Sequence, residues 1–314
     1  MGFTGHDPVR PCDADASMTP PKPSMKTPSP DLPVTLQHFI QQSAHRGHSV
    51  DPRLHWYHQV TLAPGWLTPG TYHHAKARGD WGLPQDLHGT RVLDVGSATG
   101  FHTFLFEARG ARVTSIELPS LSVLDRFPFQ PSSKIPELAA RSLWPASLMT
   151  DAFREELAGP KALDLIHRLL LLEPYAFCHQ VLQSRAERVF STVYQLQESL
   201  PPRTIFDHVF MGDVLLHVID PLAALAQAAS LCAGSLVIVQ EPPPVDVSAP
   251  ILYWRGGDNP VTDDSEWWWP NAAWFCAVLR KLGFPRVEIL PLLETWYDPA
   301  GAWQPRMVIR AIRA

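Results

Sequence analysis

A strand that runs into a turn with two glycines is the most informative stretch of this sequence. Residues 92–100 read Val-Leu-Asp-Val-Gly-Ser-Ala-Thr-Gly, and the almost wholly apolar run Arg91–Val95 predicts a strand buried on both faces of a sheet. Gly96 allows a tight turn out of that strand, and Gly100 allows the next helix to begin close to the sheet. Backbone N–H groups and the positive end of that helix would then face a ligand at the sheet edge.

Two acidic residues are placed where they can serve such a ligand site. Asp94 lies inside the strand, where a carboxylate is costly unless a cation or a hydrogen-bond donor meets it. Glu117 ends a second predicted strand, Arg112–Glu117, and lies 21 residues after Gly96 (117 minus 96), where a carboxylate accepts hydrogen bonds from both hydroxyls of a ribose. Ala98 replaces the second glycine that a pyrophosphate requires, so the pattern predicts a nucleoside pocket without a diphosphate. The alternative is a chance glycine turn in an ordinary α/β crossover.

The rest of the chain has the alternating pattern of an α/β protein. From about Trp56 onwards short β-rich runs alternate with helical ones, which is typical of a parallel sheet. Further strands are predicted at Arg188–Tyr194, Phe206–Met211 and Ser235–Gln240, with a closing antiparallel pair at Arg286–Leu293 and Arg306–Ala314. A loop is predicted over Glu241–Trp269, and helices are predicted at Phe101–Arg109, Ile135–Leu143, Asp151–Ala158, Lys161–Leu172, Pro174–Ser184, Pro221–Leu231 and Pro270–Leu282.

Three regions differ in composition. Residues 1–33 contain eight prolines and few large apolar side chains, which predicts a disordered tail. Residues 34–90 are expected to form an N-terminal helical cap segment, in which Thr35 caps a helix from Leu36 to about His45. Residues 91–314 form the main domain, and the mostly helical stretch 118–186 is an insertion that covers part of the sheet.

Charge and cysteine content exclude several classes of protein. The formal net charge of -5 over 314 residues argues against affinity that depends on a broad phosphate-binding surface. No apolar run approaches the length of a membrane-spanning helix, so no membrane partner is expected. The N-terminus lacks the layout of a secretory signal, and the four cysteines form neither a CxxC pair nor a disulfide scaffold. A cytoplasmic protein with free thiols is therefore the expectation.

These motifs together resemble the class I S-adenosylmethionine-dependent methyltransferases. The family's D-x-G-x-x-x-G is matched by Asp94, Gly96 and Gly100, its ribose acid by Glu117, and its "FDxVxxxxVLxHxxDP" stretch by Phe206–Pro221. More narrowly, several short stretches resemble a subgroup related to the carboxymethyltransferase of tRNA wobble uridine: Trp56-Tyr-His, Thr68-Pro-Gly70, Gly100-Phe-His102, Trp268-Trp-Pro-Asn271 and Leu282-Gly-Phe284. The resemblance spans roughly residues 56–290.

The resemblance implies a fold, a cofactor and a mechanism. The fold is an α/β Rossmann-like sheet of seven strands in the order 3-2-1-4-5-7-6, with the last strand antiparallel and helices on both faces. The cofactor is S-adenosylmethionine (SAM), whose methyl group leaves a sulfonium in one in-line displacement, so the protein mainly positions the nucleophile. Because the leaving sulfur becomes neutral, no metal is expected.

The residues expected to contact the cofactor follow from the matched motifs. They are Asp94, Gly96, Ser97, Gly100, Phe101, His102, Glu117, Tyr194 and Gln195. Tyr194 or Gln195 is expected to pack on the adenine or hydrogen-bond to it. His102 has the alternative of lying on the exposed side of its helix.

Two residues after the fourth strand are candidates for catalysis. His217 is the first candidate for a base, since ligands bind at this edge of open α/β sheets. The alternative is that it packs beneath the next helix. Asp213 either faces the methionine part of the cofactor or the acceptor, or caps the turn.

Aromatic residues are the candidates for acceptor binding. By the same resemblance Trp56, Tyr57 and His58 are expected to fold over the cofactor mouth, and Trp56 and Tyr57 are the candidates on the substrate side. Trp254, Trp267 and Trp268 lie in or beside an unusual tryptophan run. Three adjacent rings at 267–269 cannot all point inward, so at least one is expected to contact a partner, a lid or a substrate. The alternative is that they fasten the loop to the sheet.

The acceptor predicted from these features is a small, fairly apolar or aromatic molecule. A tRNA acceptor would require a dense basic face, whereas the cations of this chain are scattered. Carboxymethylating members also need cationic side chains near the additional carboxylate of their cofactor, and no such residue is recognisable in the sequence. A tRNA-modifying enzyme of the wobble-uridine type is the second hypothesis, and a cofactor-binding module without catalysis is the third.

Overall fold

The computed structural model describes residues 10–11, 36–127, 134–245, 247–257 and 265–313. The predicted tail, 1–33, lies outside these residues except for Arg10–Pro11. The strands are β1 Arg10–Pro11, β2 Thr61–Ala63, β3 Trp66–Leu67, β4 Tyr72–Arg78, β5 Arg91–Val95, β6 Arg112–Glu117, β7 Glu187–Phe190, β8 Phe206–Gly212, β9 Cys232–Gln240, β10 Leu252–Trp254, β11 Trp268–Pro270, β12 Arg286–Tyr297 and β13 Ala302–Ile312.

Helices alternate with the parallel strands, as the sequence pattern predicts. They are α1 Leu36–His45, α2 Phe101–Ala108, α3 Lys134–Ser142, α4 Asp151–Ala158, α5 Ala162–His167, α6 Glu173–Val181, α7 Leu196–Ser199, α8 Pro221–Ser230 and α9 Ala272–Lys281. A π-helical turn at Arg168–Leu172 joins α5 to α6, and short 3-10 turns lie at Leu121–Val123, Ala146–Leu148, Val193–Gln195 and Leu215–His217. Within the described part of the chain no helix is long and apolar enough to cross a bilayer.

The main sheet has the predicted strand order. Its order is β7-β6-β5-β8-β9-β13-β12, which corresponds to 3-2-1-4-5-7-6. The strands β7, β6, β5, β8 and β9 pair in parallel, and β13 runs antiparallel to both β9 and β12. The predicted fold is therefore confirmed, with one addition: β1 and β4 pair with β12 and extend the sheet beyond the seven predicted strands.

The central strands separate two apolar cores because their side chains alternate between the two faces of the sheet. Val92, Phe210 and Val237 point into the core that includes residues of α2 to α6, and Leu93, Val209 and Leu236 point into the core beneath α8 and α9. Near-continuous apolar strands of this kind are expected where both faces of a sheet are covered.

Several local predictions differ from the structure: β2, β3 and β4 lie in the segment 34–90 that was predicted to be helical, and the following differences lie close to the sheet edge. β7 ends at Phe190 rather than at 194, because the chain turns at Ser191 and Thr192 into the 3-10 turn that contains Tyr194. Pro270 belongs to β11 and Asn271 caps α9, so the helix begins two residues later than predicted. The predicted loop before it contains a hairpin of β10 and β11.

The cysteines only partly match the expectation of free thiols. Cys178 and Cys232 are free and buried. Cys276 is disulfide-bonded, so the expectation is wrong for that residue.

Candidate active site

A cavity of about 330 Å³ lies at the carboxyl ends of the central strands, where the sequence predicts the ligand site. One half is formed by the ends of β5, β6 and β7 and by the 121–125 segment, and includes Gly96, Glu117 and Tyr194. The other half is formed by the N-terminal segment, α2 and the ends of β8, β9 and β13. It includes Tyr57, His58, Tyr72, His74, Trp81, His102, Asp213 and Arg306. We call these the nucleoside half and the acceptor half.

The glycine turn has the tight backbone that the sequence predicts. Gly96 and Gly100 have φ angles of +79° and +91°, which disfavour any side chain. A Cβ at residue 96 would lie 2.6 Å from Cγ2 of Val214, and one at residue 100 would lie 2.4 Å from the ring of Phe104. Both glycines are therefore required by sterics as well as by backbone conformation. Only Gly96 lines the cavity.

Asp94 supports the turn from below and does not line the cavity. Its carboxylate is buried, and Oδ2 accepts a hydrogen bond of 2.6 Å from the Thr103 hydroxyl on α2. Burial raises the pKa of Asp94 to about 7, although the Thr103 hydrogen bond acts in the opposite direction. Ser97 and Phe101 are also buried and do not line the cavity. Asp94, Ser97 and Phe101 therefore support the turn from within the protein.

Glu117 places its carboxylate at the cavity wall beside the turn. Oε2 accepts a hydrogen bond of 2.7 Å from Ala98 N–H, and Oε1 accepts one of 2.9 Å from Leu118 N–H. A carboxylate offers about four acceptor positions. Glu117 can therefore hold the turn and still accept hydrogen bonds from a ligand.

Arg188 is a supporting residue that sequence reasoning did not identify. Its guanidinium lies 3.6 Å from Glu117, donates to the carbonyl oxygens of Leu171 and Ala98, and stacks over the Tyr175 ring at 3.9 Å. The signal available was an arginine inside the predicted third strand, where a cation needs a buried partner. Arg188 thus balances the Glu117 charge from behind the cavity wall.

Tyr194 and Gln195, the predicted adenine contacts, are placed differently. Tyr194 lines the cavity, and its hydroxyl donates to Asp125, whose Oδ2 also accepts a hydrogen bond of 2.7 Å from Ile219 N–H. Burial and the Asp125 hydrogen bond raise the pKa of Tyr194. Gln195 does not line the cavity and accepts a hydrogen bond from Thr192.

His217 and Asp213, the predicted catalytic pair, both line the cavity. The Nδ1 atom of His217 lies 2.6 Å from the carbonyl oxygen of Ser265, to which it donates. Asp213 has a positive φ of 49°, and its Oδ2 accepts a hydrogen bond of 2.9 Å from the guanidinium of the buried Arg306. Burial alone would lower the pKa of Arg306, but the carboxylates of Asp213 and Glu241 raise it. Asp213 is therefore half of an ion pair rather than an unpaired base.

The four predicted tryptophans do not line the cavity. Trp56 is buried in the core, with its ring centroid 5.1 Å from that of Phe39. Trp267 is buried and donates its backbone N–H to the carbonyl oxygen of Leu216. Trp268 donates Nε1–H to the carbonyl oxygen of Ile219. The Trp254 ring packs against both of these rings. The tryptophan run thus fastens its loop to the 215–219 turn, which is the alternative interpretation. The indole in the cavity wall is Trp81.

Three buried histidines, His58, His74 and His102, line the acceptor half. Of these, His102 was predicted as a cofactor contact and His58 as part of the segment near the cofactor mouth, whereas His74 was not predicted. His58 is held there by its backbone N–H, which donates to the Thr99 hydroxyl at 2.9 Å, and His74 lies in β4. Tyr57, a predicted acceptor residue, lies beside them, and its ring centroid is 4.9 Å from that of Tyr72.

Comparison with known proteins identifies the family of this chain. The model of a methyltransferase domain matches residues 75–288, which is more than half of the chain. The chain belongs to the methyltransferase domain family. The predicted methyltransferase is thereby confirmed, whereas the wobble-uridine subgroup has no support among the matches. No protein of curated function matches the sequence.

Several solved structures resemble this methyltransferase at low identity. The N-terminal domain of EvdMO1 with bound SAH is 16% identical with a TM-score of 0.45, and the match covers 88% of this chain and 97% of that one. A 1,6-didemethyltoxoflavin-N1-methyltransferase from Burkholderia thailandensis is 16% identical with a TM-score of 0.40, and coverage is 71% and 72%. Magnesium protoporphyrin IX methyltransferase from Synechocystis PCC 6803 is 14% identical with a TM-score of 0.38, and coverage is 73% and 72%.

Proposed function

We propose that this chain transfers the methyl group of SAM to a small-molecule acceptor. The observation that supports it most is the Glu117 carboxylate, which lines the cavity at the end of β6 and is fixed by Ala98 N–H of the glycine turn. A carboxylate held next to such a turn suits a ribose with two free hydroxyls and repels a 2′-phosphate.

The residues of the nucleoside half fit SAM. Glu117 keeps acceptor positions for the ribose hydroxyls, the 191–194 segment forms the wall beside it, and the turn at Gly96 leaves room that a Cβ would fill. SAM supplies a methyl group on a positively charged sulfur. The protein's part is to orient donor and acceptor and to exclude water between them.

The acceptor half supports a small molecule rather than a polyanion. Among the described residues that line the cavity, Arg306 is the one lysine or arginine, and Asp213 neutralises its charge. The remaining surface is aromatic and apolar, which is typical of small-molecule sites. A nucleic acid would instead need several cations in contact with its phosphates.

The experiment is a calorimetric titration of SAM into the Glu117→Gln variant. Loss of one charged acceptor should weaken SAM binding by roughly 10- to 100-fold, because hydrogen bonds to charged groups contribute about 1.5–3 kcal/mol. Glu198→Gln, at an exposed position, is the matched control and should bind SAM like the unmodified protein. Unchanged affinity in the Glu117→Gln variant, with its melting temperature preserved, would refute the ribose assignment.

Arg306 favours one feature of a second candidate, the tRNA-modifying enzyme, namely the transfer of a carboxymethyl group in place of a methyl group. It is the buried cation near the acceptor that sequence reasoning did not find. The test is competition between SAM and its carboxylated analogue. We expect SAM to bind at least as tightly as the carboxylated analogue, because the guanidinium of Arg306 already forms an ion pair with Asp213. Preference for the carboxylated analogue that disappears in Arg306→Met would favour the second candidate.

A further inference from the structure

His58, His74 and His102 lie together in the acceptor half and are the residues that we call the histidine wall. Their ring centroids are 4.8 Å apart for His58 and His74, 5.4 Å for His74 and His102, and 6.0 Å for His58 and His102. Each residue is at most 7% exposed. They come from three separate places in the chain and meet only in the fold.

The imidazoles of the histidine wall have no hydrogen-bond partner in the described part of the chain. One nitrogen of each ring is completely enclosed and unpaired: Nδ1 of His58, Nδ1 of His74 and Nε2 of His102. Buried polar groups without partners are uncommon in native proteins and need an explanation. A ligand in the cavity cannot reach these enclosed nitrogens, but it can form hydrogen bonds with the opposite nitrogen of each ring, which is not enclosed.

The environment keeps these imidazoles neutral. Burial lowers the pKa of all three rings, for His58 to about 3, and their mutual repulsion adds to the effect for His74 and His102. The other charged groups that face the wall are cationic or titratable to cations: Arg109 toward His102, and Arg306 and His73 toward His74.

A metal site is not the explanation for this cluster. Among the described residues, no three His, Cys, Asp or Glu side chains are arranged to hold a metal ion. The rings instead pack edge-on or tilted against aromatic neighbours, such as Trp81 at 4.5 Å from His102 and Phe101 at 5.4 Å from His74.

The neighbours of the histidine wall carry no unbalanced charge. Burial raises the pKa of Tyr57 well above its ordinary value and that of Tyr72 to about 12, so both phenols keep their protons. Asp213 and Arg306 form an ion pair. The acceptor half is thus a neutral surface of imidazoles, phenols and one indole.

We propose that the histidine wall binds an uncharged aromatic acceptor through a phenol-type hydroxyl group, and that His102 accepts the hydroxyl proton as the methyl group is transferred. This inference rests on the proposed function. His102 is chosen because it follows the glycine turn by two residues, and its Cε1 lies 3.5 Å from where a Cβ at Gly212 would be, at the end of β8.

The step balances in bonds and in charge. A lone pair of the hydroxyl oxygen forms the new O–C bond, the S–C bond breaks with its electrons on sulfur, and the hydroxyl proton moves to the imidazole. The positive charge therefore passes from sulfonium to imidazolium, and the cavity holds one positive charge before and after. A low imidazole pKa in the free protein is compatible with this role, because a protonated ring would repel the sulfonium.

A phenol suits this base better than an alkyl alcohol does. A phenolic proton has a pKa near 10 and becomes far more acidic as the O–C bond forms, so an imidazole of lowered pKa can accept it. The ring would also pack against Trp81, Tyr57 and Tyr72, since aromatic pairs favour edge-on and offset contacts.

The first test observes the histidine rings without any turnover. In the SAH-loaded full chain, ¹⁵N spectra of the imidazoles should show His58, His74 and His102 neutral from pH 8 down to pH 5, with assignments from single His→Gln variants. Adding 2-naphthol should shift these three signals and leave that of the exposed His45 in place. A protonated ring at pH 7 would overturn the proposal.

The second test compares acceptors and variants. With SAM, phenol, catechol and 2-naphthol should give methyl ethers by mass spectrometry, ahead of aniline, thiophenol and benzoate. His102→Gln should lower kcat by at least about 100-fold, as expected for loss of a general base, with KM changed far less; His45→Gln is the control. A base of ordinary histidine pKa, about 6.5, would lose rate below pH 6.5, whereas we expect a flat profile to pH 5.

The outcomes separate this proposal from the one on which it rests. Normal SAM affinity with no signal shift or ether from any of the three phenols would refute the phenol site and leave the SAM site intact. Faster methylation of aniline or thiophenol would refute it as well. Loss of SAM binding in the unmodified protein would instead refute the proposed function.

Discussion

At the residue scale, the two acids of the cofactor motif have different surroundings and hence different tasks. Glu117 is bonded to backbone N–H groups, balanced by Arg188, and open to the cavity. Asp94 is enclosed and meets one hydroxyl, that of Thr103, so its charged form is poorly compensated. Asp94, the motif residue inside β5, therefore has a structural task in this chain.

The raised pKa of Asp94 predicts a pH-dependent cost to stability. Its folded pKa of about 7 exceeds the ordinary value near 3.9, so the contribution of Asp94 to stability is greatest below pH 4 and declines as pH rises to 7. Asp94→Asn removes this dependence. The free energy of unfolding of the variant minus that of the unmodified protein should increase by up to ~3 kcal/mol from pH 5 to pH 8. Urea unfolding of both proteins at each pH measures this difference. Asp164→Asn, an exposed control, should show no such increase; an equal response in both variants contradicts the assignment.

At the element scale, one buried side chain, that of Asn271, joins the start of helix α9 to the loop before it. The Oδ1 atom of Asn271 accepts hydrogen bonds from Trp274 N–H and Ile251 N–H, and Nδ2 donates to the carbonyl oxygens of Val247 and Ala249. One residue thus caps the helix and ties the preceding loop to it.

Replacing Asn271 with Ala should lower the unfolding free energy by about 2–4 kcal/mol, because a cap is lost and buried groups are left unpaired. Asp220→Ala, which removes the exposed cap of α8, should cost only about 1 kcal/mol. Chemical denaturation of both variants measures the difference. Similar costs would mean that the contacts of Asn271 to the loop add nothing to its capping of α9.

At the scale of the whole molecule, the cavity depends on parts of the chain that are far apart in sequence. Asp213 and Arg306 are separated by 93 residues, and their ion pair joins the end of β8 to β13. Breaking such a pair leaves an uncompensated charge, whereas removing both partners does not.

A double-mutant cycle tests this joint. Arg306→Met alone should destabilise the protein by about 3 kcal/mol, because the Asp213 carboxylate loses its partner. Adding Asp213→Asn should recover part of that loss, and asparagine tolerates the positive φ at this position. Urea unfolding of the single and double variants gives the coupling free energy between the two residues. Strictly additive losses of unfolding free energy would contradict an ion pair that stabilises the fold.

The glycine turn and the two strands beside it were predictable because their signals are local, whereas the strand order was implied by the resemblance to the methyltransferase family. Arg91–Val95 and Arg112–Glu117 have the predicted bounds, since apolar runs and turn glycines depend on neighbours in sequence. Errors occur where a contact distant in sequence decides. The backbone N–H of Ser191 bonds to the carbonyl oxygen of Glu117 beyond the end of β7, and the tryptophan run packs on the 215–219 turn.

The sequence supplied Tyr57, His102 and Asp213 as separate candidates, but their assembly into the acceptor half came only from the tertiary structure. His58, His74 and His102 belong to an N-terminal segment, a strand and a helix, and Arg306 to the last strand; no short-range pattern connects them. A periodic pattern reports which face of an element is buried. Which side chains meet across one cavity depends on how whole elements pack. The same packing buries the imidazoles, which keeps them neutral, and pairs Asp213 with Arg306, so the acceptor half has little net charge.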